Sequence, residues 1–222
     1  MDTKKKLIMA LSSLCGVLLV AVVAMGIVWA ATSQTITSNV KVTYTATQIK
    51  GSIAANVYFN SDTPTPMTGG TNGTISFDAE TSSTGGALTP ASEIVLDNVA
   101  GKTFVIFEYY ITNGSTNVMD AVLSYSDDST DPNKADENIK VYAYSSATAV
   151  AQPWTNVATL QGAGGANELG NTTGQFIDTT VPARAGEIDG SKYFYVVVAL
   201  DDAASDAEFS GTFSWNLTKH TS

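Results

Sequence analysis

The sequence predicts an all-β protein, a jelly-roll-like antiparallel β-sandwich that follows an N-terminal hydrophobic signal helix. Three observations predict this fold. Apolar residues recur with a period of two from Asn39 onward, and short segments rich in Val, Ile, Thr and aromatic residues are bounded by turn residues. After Ala31 no extended helical period occurs, apart from a possible short turn at 201–207. Strands at this density are typical of two packed sheets.

The first thirty residues have the pattern of an export signal. Three lysines at positions 4–6 precede an apolar run of about 25 residues, so the lysine-bearing end is expected to stay cytoplasmic and the rest to lie outside. The run is long enough to span a bilayer, which favours a retained anchor. The small-residue junction at 28–30, where the run ends, favours cleavage. We expect cleavage between Ala30 and Ala31, with an uncleaved membrane anchor as the alternative.

Predicted strands follow in order along the mature chain. Alternating apolar residues indicate strands at 40–46 and 53–59, and further strands are predicted at 75–77, 104–112, 118–125, 139–144, 193–200 and 208–218. The segment 193–200 is apolar on both faces, which predicts a central strand or one covered on its second face. The pair Asn113-Gly114 predicts a tight turn between two strands. Segments 61–74 and 162–173 are predicted to be loops.

Composition limits the function. The chain has 11 Lys+Arg and 21 Asp+Glu, and a form beginning at Ala31 keeps 8 basic and 20 acidic residues, because residues 1–30 hold three lysines and one aspartate. A net charge of −12 repels phosphate backbones, so no nucleic-acid partner is expected. The single cysteine, Cys15, lies in the apolar run. We therefore expect residues 31–222 to form one domain without a disulfide.

Side chains that carry chemistry are sparse. The one histidine, His220, lies near the end of the chain, where termini commonly fray, so a catalytic triad or a HExxH zinc site lacks a positioned imidazole. Acidic pairs at 127–128 and 201–202 lie in polar surroundings, and spacing alone does not place them across a cleft. We expect a protein that is not an enzyme and uses no cofactor.

One acidic loop has part of the pattern of a calcium site. Asp127, Ser129 and Asp131 have the alternate spacing of calcium ligands. However, Pro132 stands where an EF-hand needs Gly, and Asn138 stands where its bidentate Glu belongs. These three residues are therefore weak calcium candidates, and a solvated acidic loop is the preferred interpretation.

The tryptophans of the mature chain are expected to differ in exposure. Trp215 shares a strand face with Phe213 and Leu217, which predicts a place in the core. Trp154 follows Pro153 in a loop and is predicted to be the exposed aromatic. A carbohydrate-binding protein could use a loop such as 152–160.

Three stretches carry a family resemblance. The junction Val28-Trp29-Ala30-Ala31, the segment NVAGKTFVIFEYYITNGSTNVMDAVLSY at 98–125 and the segment FSGTFSWNL at 209–217 resemble the TasA/camelysin-type family of secreted biofilm fibre proteins. The junction is similar to the family's dedicated, SipW-type signal-peptidase site. The chain departs from the family in having far fewer lysines and different loops. Some members have been labelled metalloproteases, an activity that one terminal histidine does not support here.

The resemblance implies a jelly-roll subunit that polymerises head to tail by donor-strand complementation after processing by a signal peptidase. In that mode an N-terminal segment adds a strand to the next subunit. The implied donor strand is 31–39, which is uncharged, free of Pro and Gly, and has Ile36 as its one strong apolar anchor; a mobile tail is the other interpretation. The donor residues are Ala31, Thr32, Ser33, Gln34, Thr35, Ile36, Thr37, Ser38 and Asn39.

The function expected from these observations is that of a secreted structural subunit of extracellular fibres or pili in a biofilm matrix. Its partners would be copies of itself, and it would touch a membrane only through an uncleaved signal. The alternative is a monomeric cell-surface adhesin or carbohydrate-binding β-sandwich module.

Overall fold

The structure, a computed structural model, describes residues 33–44, 49–70, 73–78, 87–90, 94–97, 103–127, 139–162, 166–168, 174–200 and 209–221. The strands are β1 (Ser33–Tyr44), β2 (Lys50–Tyr58), β3 (Thr65–Pro66), β4 (Thr74–Asp78), β5 (Ala87–Leu88), β6 (Ile94–Asp97), β7 (Phe104–Asn113), β8 (Met119–Asp127), β9 (Ile139–Ser146), β10 (Gly174–Val181), β11 (Gly190–Leu200) and β12 (Phe209–Lys219), and the helix is α1 (Val157–Gln161). The signal segment, the junction Ala30–Ala31 and the stretch 201–207 lie outside the described residues. Within the described ranges no helix is long and apolar enough to span a bilayer.

The strands form two sheets of six strands each. Sheet 1 has the order β10-β8-β12-β1-β5, with β6 also paired to β1. Sheet 2 has the order β3-β2-β7-β11-β9, with β4 also paired to β2. From β7 to β12 the chain passes from one sheet to the other at every connection, which wraps the two sheets around one core. The predicted all-β sandwich is confirmed.

Apolar side chains on alternate positions fill the space between the sheets. In β2, Ile53, Ala55 and Val57 are buried in this core, as their period of two predicts. Aromatic rings join the two sheets across it, and Trp215 of β12 meets Phe194 of β11 with ring centroids 4.8 Å apart. Trp215 is fully buried, so the expectation that it lies in the core is confirmed.

Strand β11 has apolar side chains on both faces, and each face is covered by other parts of the protein. It lies between β7 and β9 in sheet 2. Phe194 and Val196 point into the sandwich core, whereas Tyr195 and Val197 belong to a second apolar cluster on the outer face, together with Leu160 of α1. The predicted central strand with a covered second face is confirmed.

Several local features differ from the sequence-based expectations. Strand β10 and helix α1 form where neither was predicted. The pair Asn113-Gly114 does not close a hairpin, because β7 and β8 belong to different sheets, and neither residue has a positive φ. The chain turns there because the Asn113 side chain organises a corner between the sheets.

Gly51 of β2 leaves no room for a side chain. A Cβ at this position would lie 1.9 Å from the carbonyl oxygen of Thr112 on β7 and 2.8 Å from the ring of Phe77 on β4. We expect Gly51→Ala to lower the free energy of unfolding by about 2–3 kcal/mol, because the strands on both sides must move apart. Urea denaturation measures this, with Ser52→Ala as the neighbouring control at a cost of about 1 kcal/mol. Equal costs for the two variants would contradict the steric explanation.

Candidate functional site

The segment predicted to be a donor strand is an interior strand of its own sheet. From Ser33 onward it forms the first part of β1, which pairs with β12 over nine positions, from Ile36 opposite Phe209 to Tyr44 opposite Leu217. On its other side β1 pairs with β6 over four positions and with β5 over two. Ala31 and Thr32 lie outside the described residues.

The ladder between β1 and β12 is parallel, whereas every other ladder between the described strands is antiparallel. It joins the first described strand of the chain to the last. A parallel pair needs a long crossover between its strands, and here almost the whole domain lies between them. No tight turn between these two strands therefore fixes β1 beside β12.

The apolar residues beneath β1 are shielded from water. Val40 of β1 is fully buried, as are Leu88 of β5 and Phe213, Trp215 and Leu217 of β12. We call the space between β12 on one side and β5 and β6 on the other the β1 slot. Without a strand in it, the main-chain groups that β12 directs toward β1 along the nine paired positions would lose their partners, and apolar core residues would meet water. The slot thus combines main-chain pairing groups with an apolar floor, which is the chemistry of a strand acceptor.

Asn113 forms a buried corner at the end of β7. Its Oδ1 accepts hydrogen bonds from the backbone N–H of Ser115 at 3.0 Å and from the Ser115 hydroxyl at 2.6 Å. Its Nδ2 donates to the carbonyl oxygens of Asn117 at 2.8 Å, Pro182 at 3.0 Å and Val181 at 3.4 Å. Because Asn113 is fully buried, these bonds tie the β7–β8 connection to the end of β10 away from water.

The stretch 152–160 covers the outer face of sheet 2. The Trp154 ring stacks on Phe104 with centroids 4.0 Å apart and meets the Phe59 ring edge-on at 6.5 Å, and Leu160 is fully buried. Trp154 lies in a turn and is more exposed than Trp215, as expected, but it is half-buried against sheet 2 and is not a freely exposed loop aromatic. Phe104 and Phe59 offer the indole an apolar surface, and covering that surface is more favourable than exposure to water.

The weak calcium candidates begin at the end of β8, and His220 directly follows β12. Asp127 ends β8, and Ser129 and Asp131 lie outside the described residues. Within the described part of the chain, no group of three His, Cys, Asp or Glu side chains is placed to hold a metal ion. His220 is held in place, since its Nδ1 lies 2.6 Å from Asp120 Oδ1 and its backbone N–H donates to Val118.

An open polar cleft of about 630 Å³ lies at one end of the sandwich. Lys50 and Arg184 line it together with Asp78, Glu187 and Asp189. The Arg184 Nε lies 3.6 Å from Asp189 Oδ1, and both side chains are well exposed. The cleft is therefore a solvent-exposed rim that carries side chains of both charges.

Comparisons with known proteins place the chain in no family. No protein-family model matches it, and no curated protein matches it. Among solved structures, the yeast delta-COP-I mu-homology domain is similar at 6% sequence identity, over 85% of this chain and 96% of that chain, with a TM-score of 0.18. A similarity at this level carries no argument about function.

Proposed function

We propose that the protein is a secreted structural subunit of extracellular fibres or pili, and that β1 of one copy fills the β1 slot of the next. The observation that carries the proposal is the parallel ladder between β1 and β12, which no local turn enforces. The N-terminal position of β1 supports it as well, since a strand at the end of a chain can leave and enter a sheet without threading a loop.

Exchange between copies would keep nearly all the contacts of the free subunit. The same nine positions of β12 would pair with β1, and Val40 would return to an equivalent buried place. The free-energy difference between the two arrangements is therefore small, and protein concentration decides between them. Because the strand leaves one subunit and enters the next in one direction, the contact is head-to-tail and grows a filament.

The test compares the chain beginning at Ala31 with a variant that lacks residues 31–39. The longer chain is expected to form filaments visible by electron microscopy. The shorter one loses the pairing to β6 and four of the nine positions on β12, so it is expected to stay monomeric in analytical ultracentrifugation.

A point variant separates strand pairing from chain length. Thr37→Pro removes one backbone N–H from β1, and its filament mass is expected to fall by about tenfold or more, whereas Thr37→Ser is the matched control and should assemble normally. Circular dichroism checks that both variants are folded.

Other outcomes would contradict the proposal. If the intact mature chain stays monomeric at high concentration and binds a glycan, the monomeric adhesin or carbohydrate-binding function replaces it. Mass spectrometry of the N-terminus tests the proposed secretion and cleavage at Ala31. A retained residue 1–30 segment in membrane fractions would support an anchored surface protein.

A further inference from the structure

Glu108 is a buried carboxylate on the outer face of sheet 2. It is 6% exposed and lies on β7, opposite Tyr195 of β11 and Asn56 of β2. Its hydrogen-bond donors are neutral groups, Asn56 Nδ2 at 2.9 Å and the Tyr58 hydroxyl at 3.3 Å. Within the described residues, no Lys, Arg or His forms an ion pair with it. The carboxylate is thus removed from water, and it has no cationic partner among the described residues.

Tyrosine rings surround this carboxylate. Beside Tyr58 and Tyr195, the rings of Tyr110 and Tyr193 pair with centroids 4.6 Å apart, one step along the same strand face. Burial raises the pKa of Tyr58, and the negative charge of Glu108 raises that pKa further. Burial also raises the pKa of Tyr193, with smaller effects from Tyr110 and Glu108. The rings therefore lie within the negative potential of the carboxylate.

Residues 147–162 cover only part of this outer face. The Val150 N–H donates to the Tyr195 hydroxyl at 2.8 Å, and Leu160 is buried against the same apolar cluster. Tyr110 and Tyr193 are further along the strands and are partly exposed. Because Tyr110 and Tyr193 are partly exposed, this tyrosine pair is the part of the Glu108 cluster that solvent reaches.

We infer that the Glu108 cluster, made of Glu108, Asn56, Tyr58, Tyr110, Tyr193 and Tyr195, binds a quaternary ammonium group. The faces of aromatic rings attract cations, and a buried carboxylate adds a full negative charge behind them. A bound cation would also offset the cost of burying that carboxylate unpaired.

The hydrogen bonds of Glu108 favour a quaternary over a primary ammonium group. A primary ammonium donates three hydrogen bonds and needs acceptors for them. The Glu108 oxygens already accept hydrogen bonds from Asn56 and Tyr58. A quaternary ammonium donates none, so its methyl groups need only the ring faces and the charge. This site lies on sheet 2 and does not depend on exchange of β1.

The test uses choline and its neutral isostere, 3,3-dimethylbutan-1-ol, in NMR titrations of the mature chain. Choline is expected to bind with a dissociation constant of about 1–10 mM, about tenfold or more tighter than the isostere. Nα-acetyl-lysine methylamide, the primary ammonium probe, should bind more weakly than choline. Equal binding of choline and the isostere, no choline binding at about 100 mM, or tighter binding of the lysine probe would each overturn the inference.

Two pairs of variants locate the binding. Glu108→Gln keeps the shape and is expected to weaken choline binding by about tenfold, while the unfolding midpoint stays constant or rises because an unpaired buried charge is gone. Tyr193→Ala should weaken binding several-fold, whereas Tyr193→Phe keeps the ring and the affinity. Unchanged choline affinity in a folded Glu108→Gln protein would contradict the assignment.

Discussion

Asn113→Ala is expected to lower the free energy of unfolding by about 3–4 kcal/mol. The substitution removes a fully buried amide that accepts two hydrogen bonds from Ser115 and donates to three carbonyl oxygens. Each partner left buried and unsatisfied adds about 1–3 kcal/mol, partly recovered where water can enter. Urea denaturation of the mature chain measures the loss.

Asn113→Asp is the matched control for this corner. It keeps the Oδ1 that accepts both hydrogen bonds from Ser115 but replaces the Nδ2 that donates to Asn117, Val181 and Pro182, and it places a carboxylate oxygen against those carbonyl oxygens. We expect it to be at least as destabilising as Asn113→Ala. If either variant costs less than about 1 kcal/mol, Asn113 does not fix the passage between the sheets.

Trp215→Ala is expected to cost about 3–5 kcal/mol, because it opens a cavity in the core where β12 faces sheet 2. The ring contacts Phe194 and Tyr109, with centroids 4.8 and 5.6 Å away. Thermal and urea unfolding measure the loss. Trp215→Phe keeps an aromatic ring and removes a buried Nε1 that has no hydrogen-bond partner among the described residues, so it should cost about 2 kcal/mol or less.

Tyr109→Phe tests the buried hydroxyl of Tyr109, whose ring lies beside Trp215. The Tyr109 hydroxyl is buried and has no hydrogen-bond partner in the part of the chain that the structure describes, and burial raises the pKa of this group. Removing the hydroxyl is expected to leave stability unchanged or to raise it by about 1 kcal/mol. A loss of more than about 1 kcal/mol would mean that the hydroxyl is hydrogen-bonded in solution, for example to a buried water molecule.

A strand could be predicted from the sequence where the pattern of its apolar residues follows the pattern of burial, on one face or on both. The alternation of Ile53, Ala55 and Val57 and the unbroken apolar run at 193–200 report burial directly, so the sequence predicts their environment. Strand β10 gave no such signal, since it lies at the edge of sheet 1 and carries Asp178 and two threonines.

The Glu108 cluster could not be predicted from the sequence. In the segment FVIFEYYITN, Glu108 occupies an outward position, where a charged residue normally meets water. It is buried because Asn56 and Tyr58 of β2 hydrogen-bond to it and residues 147–162 cover part of the same face. Contacts between segments so distant in the chain leave no periodic pattern. The same reason explains why the packing of Trp154 was not predicted, since its partners Phe104 and Phe59 come from other segments.

The parallel alignment of the first and last strands has a mechanical consequence. Ser33 lies at the Phe209 end of β12, whereas the end of β12 at Lys219 lies beyond Tyr44. Tension applied to the two ends of the chain therefore pulls β1 and β12 in opposite directions along their common axis. This is a shear geometry, in which the nine paired positions carry the load together and do not open one at a time. If copies join through β1 as proposed, the thread would resist stretching through main-chain hydrogen bonds, and residues 31–222 contain no cysteine for a disulfide.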